Sequence, residues 1–225
     1  MLPLFHDFAG ETVLVFGGGR VGCRKARFFA QEATVIVVSA EFTRELCAES
    51  VSQIKARVSP DDLSDWFDRA APALVVAATD DGALNEAIET TAIKRGILVN
   101  RADKHGNREI GSVVVPATVR DGDVIAAVGT GGRSPALSKY LRQQIEPIFG
   151  GADEMAELTA EIRETLQERD VPAKNRREAV RAVINSEAVW EAIENRNNRE
   201  SGGDSVGIAA RNEATRVVSD VLNPD

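Results

Sequence analysis

Residues 13 to 29 read VLVFGGGRVGCRKARFF, in which a β-branched apolar run stops at three glycines and a basic, helix-forming stretch follows. Gly17, Gly19 and Gly22 fit the spacing G-x-G-x-x-G. In that pattern the first glycine makes a tight turn, the second lets the backbone approach a pyrophosphate, and the third permits close helix–strand packing. A helix opening at Arg20 and Val21 would aim its unpaired N–H groups and positive dipole end at the phosphates. The chemistry implied is dinucleotide binding.

Strands and helices alternate after this turn. Residues 34–39 (TVIVVS) predict a buried strand, 42–50 a short helix, 54–58 a strand, 61–70 a helix with an acidic start, and 73–78 (ALVVAA) a strand. Asp80 or Asp81 caps a helix that runs to about Arg95 and stops at Gly96, and 97–100 (ILVN) is a fifth strand. Such alternation predicts a parallel sheet covered on both faces, with ligands beyond the carboxyl ends of its strands. The positions to watch are therefore residues 17–22, then Ser39, Ala40 and Glu41, then Thr79 and Asp80, and then 100–103. The dinucleotide fingerprint places an acid at the end of the second strand to bind the ribose 2′-hydroxyl. Ser39 stands there with Glu41 two residues on, and with Arg20 and Arg44 also available the residues alone leave both NAD and NADP open.

After residue 109 the pattern changes. IGSVVVPATVRDGDVIAAVGT gives two β-like runs around a turn at residues 121–123, read as a hairpin. Ser134 and Pro135 then start a helix as cap and first residue. Just ahead of it, GTGGRSP brings Thr130, Gly131, Gly132, Arg133 and Ser134 to a helix N-terminus, a place suited to an anion. Beyond Gly150 the chain reads as helical, with Leu158, Ile162 and Leu166 on one face; residues 195–204 read as a flexible linker, and Val217, Val218, Val221 and Leu222 recur at helical spacing.

Composition narrows the function classes. The formal charge of −8, from 27 basic and 35 acidic residues, argues against general attraction to nucleic acid or anionic membranes. Lysine is scarce, and the acidic excess fits either a high-salt cytoplasm, where screening blunts self-repulsion, or a GC-rich coding bias. No apolar stretch approaches a bilayer span, and MLPLFHDFAGE lacks the basic region of a signal peptide, so a cytoplasmic location is expected. Cys23 and Cys47 both fall in predicted helices without metal-ligand spacing, which predicts buried free thiols and no metal site.

Four segments, in this order, resemble the precorrin-2 dehydrogenase family, which includes the N-terminal module of siroheme synthases. They are VLVFGGGRVGCRKA at 13–26, LVVAATDDGALN at 74–85, VNRADKHG at 99–106 with VVVP at 113–116, and AVGTGGRSPALSKYLR at 127–142. The resemblance covers residues 1 to about 150 and continues loosely to about 194. It implies a fold in the α/β class: a Rossmann-type NAD-binding domain over 1–112, a small α+β dimerisation segment over 113–150, and a helical C-terminal region over 151–225. It further implies NAD-dependent oxidation of precorrin-2 to sirohydrochlorin by a homodimer, with iron insertion a further activity of some members. The catalytic aspartate proposed in the family corresponds to Asp103. A carboxylate at a strand's carboxyl end could also accept the proton released as hydride leaves the substrate.

About three extra residues lie between Asp103 and Pro116 relative to familiar bacterial members, and they bring Lys104, His105 and Arg108 next to the candidate site. Precorrin-2 is a polycarboxylate, so cationic or hydrogen-bonding residues are expected near it, with Lys104, His105 and Arg133 the candidates for its carboxylates. Two other readings compete: a Rossmann oxidoreductase of another small metabolite, and a regulatory module that senses NAD without chemistry. A chelatase acting alone is a third.

Overall fold

A computed structural model of the chain describes residues 2–43, 51–104, 109–197 and 206–223. The described residues fall into two compact units. The first takes the residues up to Val115 together with Gly131–Arg133, and the second takes Pro116–Thr130 and the residues from Ser134 onward. No described helix is long and apolar enough to cross a membrane.

The first unit is a five-stranded parallel sheet in the order β3-β2-β1-β4-β5. Its strands are β1 (Thr12–Gly18), β2 (Thr34–Phe42), β3 (Val51–Lys55), β4 (Leu74–Ala77) and β5 (Leu98–Arg101), with helices α1 (Arg20–Phe29), α2 (Leu63–Ala70) and α3 (Gly82–Lys94) between them. Alternation along β1 divides the core in two. Val13 and Val15 pack with Cys23, Ala26 and Phe29 of α1, while Leu14 and Phe16 pack with Leu63 and Phe67 of α2 and Leu84 and Ile88 of α3. Side chains on a strand point alternately to opposite faces, so one apolar run serves both layers.

Two elements differ from expectation. The third strand spans Val51–Lys55 instead of 54–58, because its register is set by pairing with β2, from Val35 opposite Val51 to Ser39 opposite Lys55. β2 itself runs on to Phe42, which pairs with Gly18 after a register shift. The helix expected over 42–50 therefore starts on a strand residue, and 44–50, with Arg44 and Cys47, lie outside the described residues. Helix α2 is preceded by a short 3-10 turn at Pro60–Asp62, closed by a capping box between Ser59 and Asp62.

The second unit opens with the hairpin β6 (Ala117–Asp121) and β7 (Val124–Val128), against which α4 (Pro135–Ile145) packs. Helices α5 (Ala152–Glu168), α6 (Ala173–Ile184), α7 (Glu187–Asn197) and α8 (Ile208–Leu222) follow. The hairpin turn and α5 are tied reciprocally. Asp121 accepts from the Ala152 and Asp153 N–H groups at 2.8 and 3.3 Å, and Asp153 accepts from the Asp123 N–H at 2.8 Å. Met155, Leu158, Val183, Val189 and Ile193 form the helical core with Ala210 and Ala214 of α8, and Val217 and Val218 pack at its edge.

Close packing of α1 on β1 depends on Gly22, where a Cβ would lie 1.9 Å from the Gly17 carbonyl oxygen. Backbone on both sides leaves nothing flexible to move. Gly22→Ala is expected to destabilise the chain by at least about 1–3 kcal/mol, the usual range for overpacking, measured by urea unfolding; an unchanged midpoint would contradict this packing role.

Candidate active site

The glycines at the end of β1 have separable duties. Gly17 has φ +111°, and a Cβ there would sit 2.3 Å from the Ala78 carbonyl oxygen, so its bareness lets the β1 turn lie against the end of β4. A Cβ on Gly18 would meet the Glu41 carbonyl oxygen at 2.6 Å. Gly19 differs from both. Its φ of −78° suits any residue, and nothing lies within 4 Å of the position its Cβ would take. The protein itself gives no packing reason for glycine at 19. Gly19 is the N-cap of α1 and supplies no side-chain cap, so the first N–H groups of the helix are turned to this open space beside exposed Arg20 and Val21. An anion of pyrophosphate type fits both features.

Ser39, Ala40 and Glu41 lie at the carboxyl end of β2. The Ser39 hydroxyl donates to the Glu41 carbonyl at 2.7 Å, which occupies its proton within the strand and leaves the exposed Glu41 carboxylate as the acidic group there. At the end of β4, the Thr79 N–H and hydroxyl donate to Asn85 Oδ1 at 3.1 and 2.7 Å, and Asn85 Nδ2 donates back to the Thr79 carbonyl at 3.0 Å. Asn85 is fully buried. Asp81 caps α3 by accepting from the Ala83 and Leu84 N–H groups, and Asp80 is exposed beside it.

The end of β5 carries a chain of charges. Arg101 donates from Nε and Nη2 to the two Asp103 oxygens at 2.8 and 2.7 Å, and from Nη1 to Glu89 on α3 at 2.9 Å. Glu89 also accepts from Lys104 Nζ at 2.8 Å. Exposure falls steeply inward: the Asp103 side chain is 35% exposed, those of Arg101 and Glu89 only 4% each. The Arg101 hydrogen bonds hold the Asp103 carboxyl down at about 2, against the opposing effect of burial, with the Asn85 side chain adding to the lowering. Asp103 is therefore a carboxylate at any physiological pH. His105 and Arg108 lie outside the described residues.

In the segment 129–135, Gly131 and Gly132 both take positive φ, and Ser134 caps α4 by accepting from the Leu137 N–H at 3.2 Å. The Thr130 hydroxyl donates to the Ser134 carbonyl at 3.0 Å, closing the loop on itself, and Arg133 is exposed. Among the described residues no cluster of His, Cys, Asp and Glu is arranged to hold a metal.

Residues 4–117 match a family model described as NAD(P)-binding. The chain is 35% identical over 196 residues to the precorrin-2 dehydrogenase of Methanosarcina barkeri, covering 84% of this chain and 85% of that protein. The chain belongs to the precorrin-2 dehydrogenase family. Its first unit is the family's NAD(P)-binding domain. The siroheme synthase of Nitrosomonas europaea is 32% identical over 183 residues, which is 78% of this chain but 37% of that protein. The chain thus spans about a third of the length of the siroheme synthases it matches. A solved precorrin-2 dehydrogenase, SirC, superposes with a TM-score of 0.67 at 22% identity, covering 98% of this chain and all of that one, which establishes the shared fold.

Within this precorrin-2 dehydrogenase-family chain, Glu89 escapes a reading for motifs, and Arg101, though inside the segment 99–106, was given no role by it. The signal for Glu89 was a charge out of place: it lies among the buried Leu84, Ile88 and Ala92 of α3, while Arg101 is a buried charge closing the short strand Leu98–Arg101.

Gly19→Ala is expected to leave folding unimpaired, since the position is open and its φ ordinary, while NAD(P) binding weakens by more than about tenfold, or about 1.4 kcal/mol. Calorimetric titration beside thermal unfolding checks both halves; unchanged affinity would move the cofactor elsewhere.

Asp103 also has a stability signature. Its carboxyl titrates at about 2 when folded, against an ordinary 3.8, so its contribution is fully present above about pH 4 and is lost as pH falls towards 2. The stability gap between wild type and Asp103→Asn, measured by urea unfolding, should close over that window, modestly because the group is about a third exposed. A gap that persists at pH 2 would contradict the ion pair.

Proposed function

We propose that the chain oxidises precorrin-2 to sirohydrochlorin with NAD, a step towards siroheme. The observation that carries this reading is the open space at Gly19 before an uncapped helix N-terminus, in a chain of this family. Gly17, Gly19, Arg20, Val21 and Gly22 hold the pyrophosphate. Ser39, Ala40 and Glu41 take the adenosine ribose, and the Glu41 carboxylate favours a 2′-hydroxyl over a 2′-phosphate, hence NAD over NADP. Thr79 and Asp80 complete the cofactor side at the end of β4.

The overall change is precorrin-2 plus NAD⁺ to sirohydrochlorin, NADH and a proton. When bound, the nicotinamide supplies the hydride acceptor. Hydride loss makes the substrate cationic and strongly acidic. Asp103, permanently ionised, stabilises that charge as it develops, and its weak basicity suffices to take the proton from so acidic a species. Arg133 is assigned to a substrate carboxylate; Lys104 and His105 after β5 are further candidates for this role, as are Thr130, Gly131, Gly132 and Ser134 before α4.

The assembly proposed is a cytoplasmic homodimer, with the residues over 113–150 as its dimerisation segment. Helix α4 buries none of its residues, and it exposes Leu137, Tyr140 and Leu141, with Ile148 exposed just beyond. An apolar face of this kind suits a second copy.

Asp103→Asn keeps size and polarity but removes the negative charge. NADH formation from precorrin-2 and NAD, followed by absorbance, should fall by about 10²- to 10⁴-fold while calorimetric NAD affinity stays near wild type. A wild-type rate would make Asp103 a turn residue. Binding of NADH without turnover by the wild-type chain would instead favour a sensing module.

A further inference from the structure

We propose that Glu89 and Arg101 are positioning residues for the dehydrogenation: the buried pair fixes the orientation in which the Asp103 carboxylate meets the substrate. This rests on the reading of Asp103 as the catalytic carboxylate.

Three observations carry it. The contact between Arg101 and Asp103 is bidentate, at 2.8 and 2.7 Å, and a planar fork on a carboxylate admits one relative orientation where a single bond would allow rotation. Arg101 is itself held from behind, because its third donor reaches Glu89 on a different element, and Glu89 also takes Lys104, the residue after Asp103. The loop leaving β5 is thereby pinned on both sides of Asp103. The third observation is energetic. Glu89 Oε1 is buried and has no hydrogen-bond partner among the described residues, which is costly, and a buried ion pair is on average no better for stability than apolar residues of the same volume. Stability gives no reason to keep four alternating charges in this place, whereas the outermost of them needs a rigid mount.

Among the described residues, the groups that face Asp103 are Arg101 on β5, Asn85 on α3 and, through Arg101, Glu89, with Lys104 adjacent in the chain. Losing the guanidinium lets the Asp103 carboxyl rise towards its ordinary range, and it stays ionised at neutral pH. Any loss of rate at pH 7 therefore reports orientation and not protonation.

The test compares wild type, Arg101→Met, Arg101→Lys and Glu89→Gln, each alone and with Asp103→Asn, in the full chain. It measures kcat and KM for precorrin-2, NAD affinity by calorimetry, and thermal unfolding. Misplacing a reacting group by about 1 Å can cost about 10²-fold. Arg101→Met should accordingly lower kcat by about 10- to 100-fold, with KM and NAD affinity within about twofold of wild type. Arg101→Lys should recover part of the rate, Glu89→Gln should show a smaller loss, and none should cost anything further once Asp103 is asparagine. Arg101→Met removes one partner of a buried pair; if it fails to fold, Glu89→Gln and Arg101→Lys, which keep volume and a hydrogen bond, decide the matter by the same coupling. A wild-type or raised kcat in the single variants while Asp103→Asn is slow overturns the positioning role and leaves Asp103 catalytic. Equal losses with and without Asp103 overturn it too, as a general structural effect. A wild-type rate in Asp103→Asn itself would instead sink the reading on which it rests.

Discussion

The NAD(P)-binding unit depends on how closely four pieces of backbone can approach where β1 ends. Side chains at residues 17, 18 and 22 would run into the Ala78, Glu41 and Gly17 carbonyls, respectively, at 1.9 to 2.6 Å. Their absence brings the ends of β1, β2 and β4 and the start of α1 into one corner, at the switch point of a 3-2-1-4-5 sheet. Gly19 lies in that corner without a packing role. Three glycines build the corner, and the fourth leaves it open to a ligand.

At the carboxyl end of β5, on the same edge of the sheet, the structure is organised by charge instead of by steric fit. Asp103, Arg101, Glu89 and Lys104 balance to zero net charge, yet Arg101 and Glu89 are nearly inaccessible to water. Removing one partner of such a pair costs about 3–5 kcal/mol, because the other is left charged and poorly solvated. The network is intolerant of change and stiff for the same reason. A carboxylate at its exposed end takes its lowered pKa and its hydrogen-bonded geometry from residues that a substrate need not touch.

The second unit is stabilised by different means. Its helical core is aliphatic, while its hairpin is tied to α5 by two aspartates that exchange backbone hydrogen bonds. The tie is close: a Cβ on Gly122 would lie 2.0 Å from the Asp153 carboxyl group. The turn at 121–123 thus had a second constraint besides its hairpin geometry.

Local patterns in the chain determined most of the fold. Alternating apolar residues, the Asp81 and Ser134 caps, Gly96 and the glycine spacing each act within a few residues, so most strand and helix identities and the glycine turn were legible without a structure, while Asp103 was singled out by the family resemblance and not by local pattern. Where pairing between distant segments decides, the sequence was silent. The third strand shifted to Val51–Lys55 because only Val51 of its residues is buried, leaving little apolar signal against the register that β2 imposes. The partnership of Glu89 with Arg101, 12 residues away, exists only because α3 packs against β5. An isolated glutamate in a helix and an arginine ending a strand carry no mark of each other; their burial together is a property of the tertiary fold, because only that packing removes the water that would otherwise screen them.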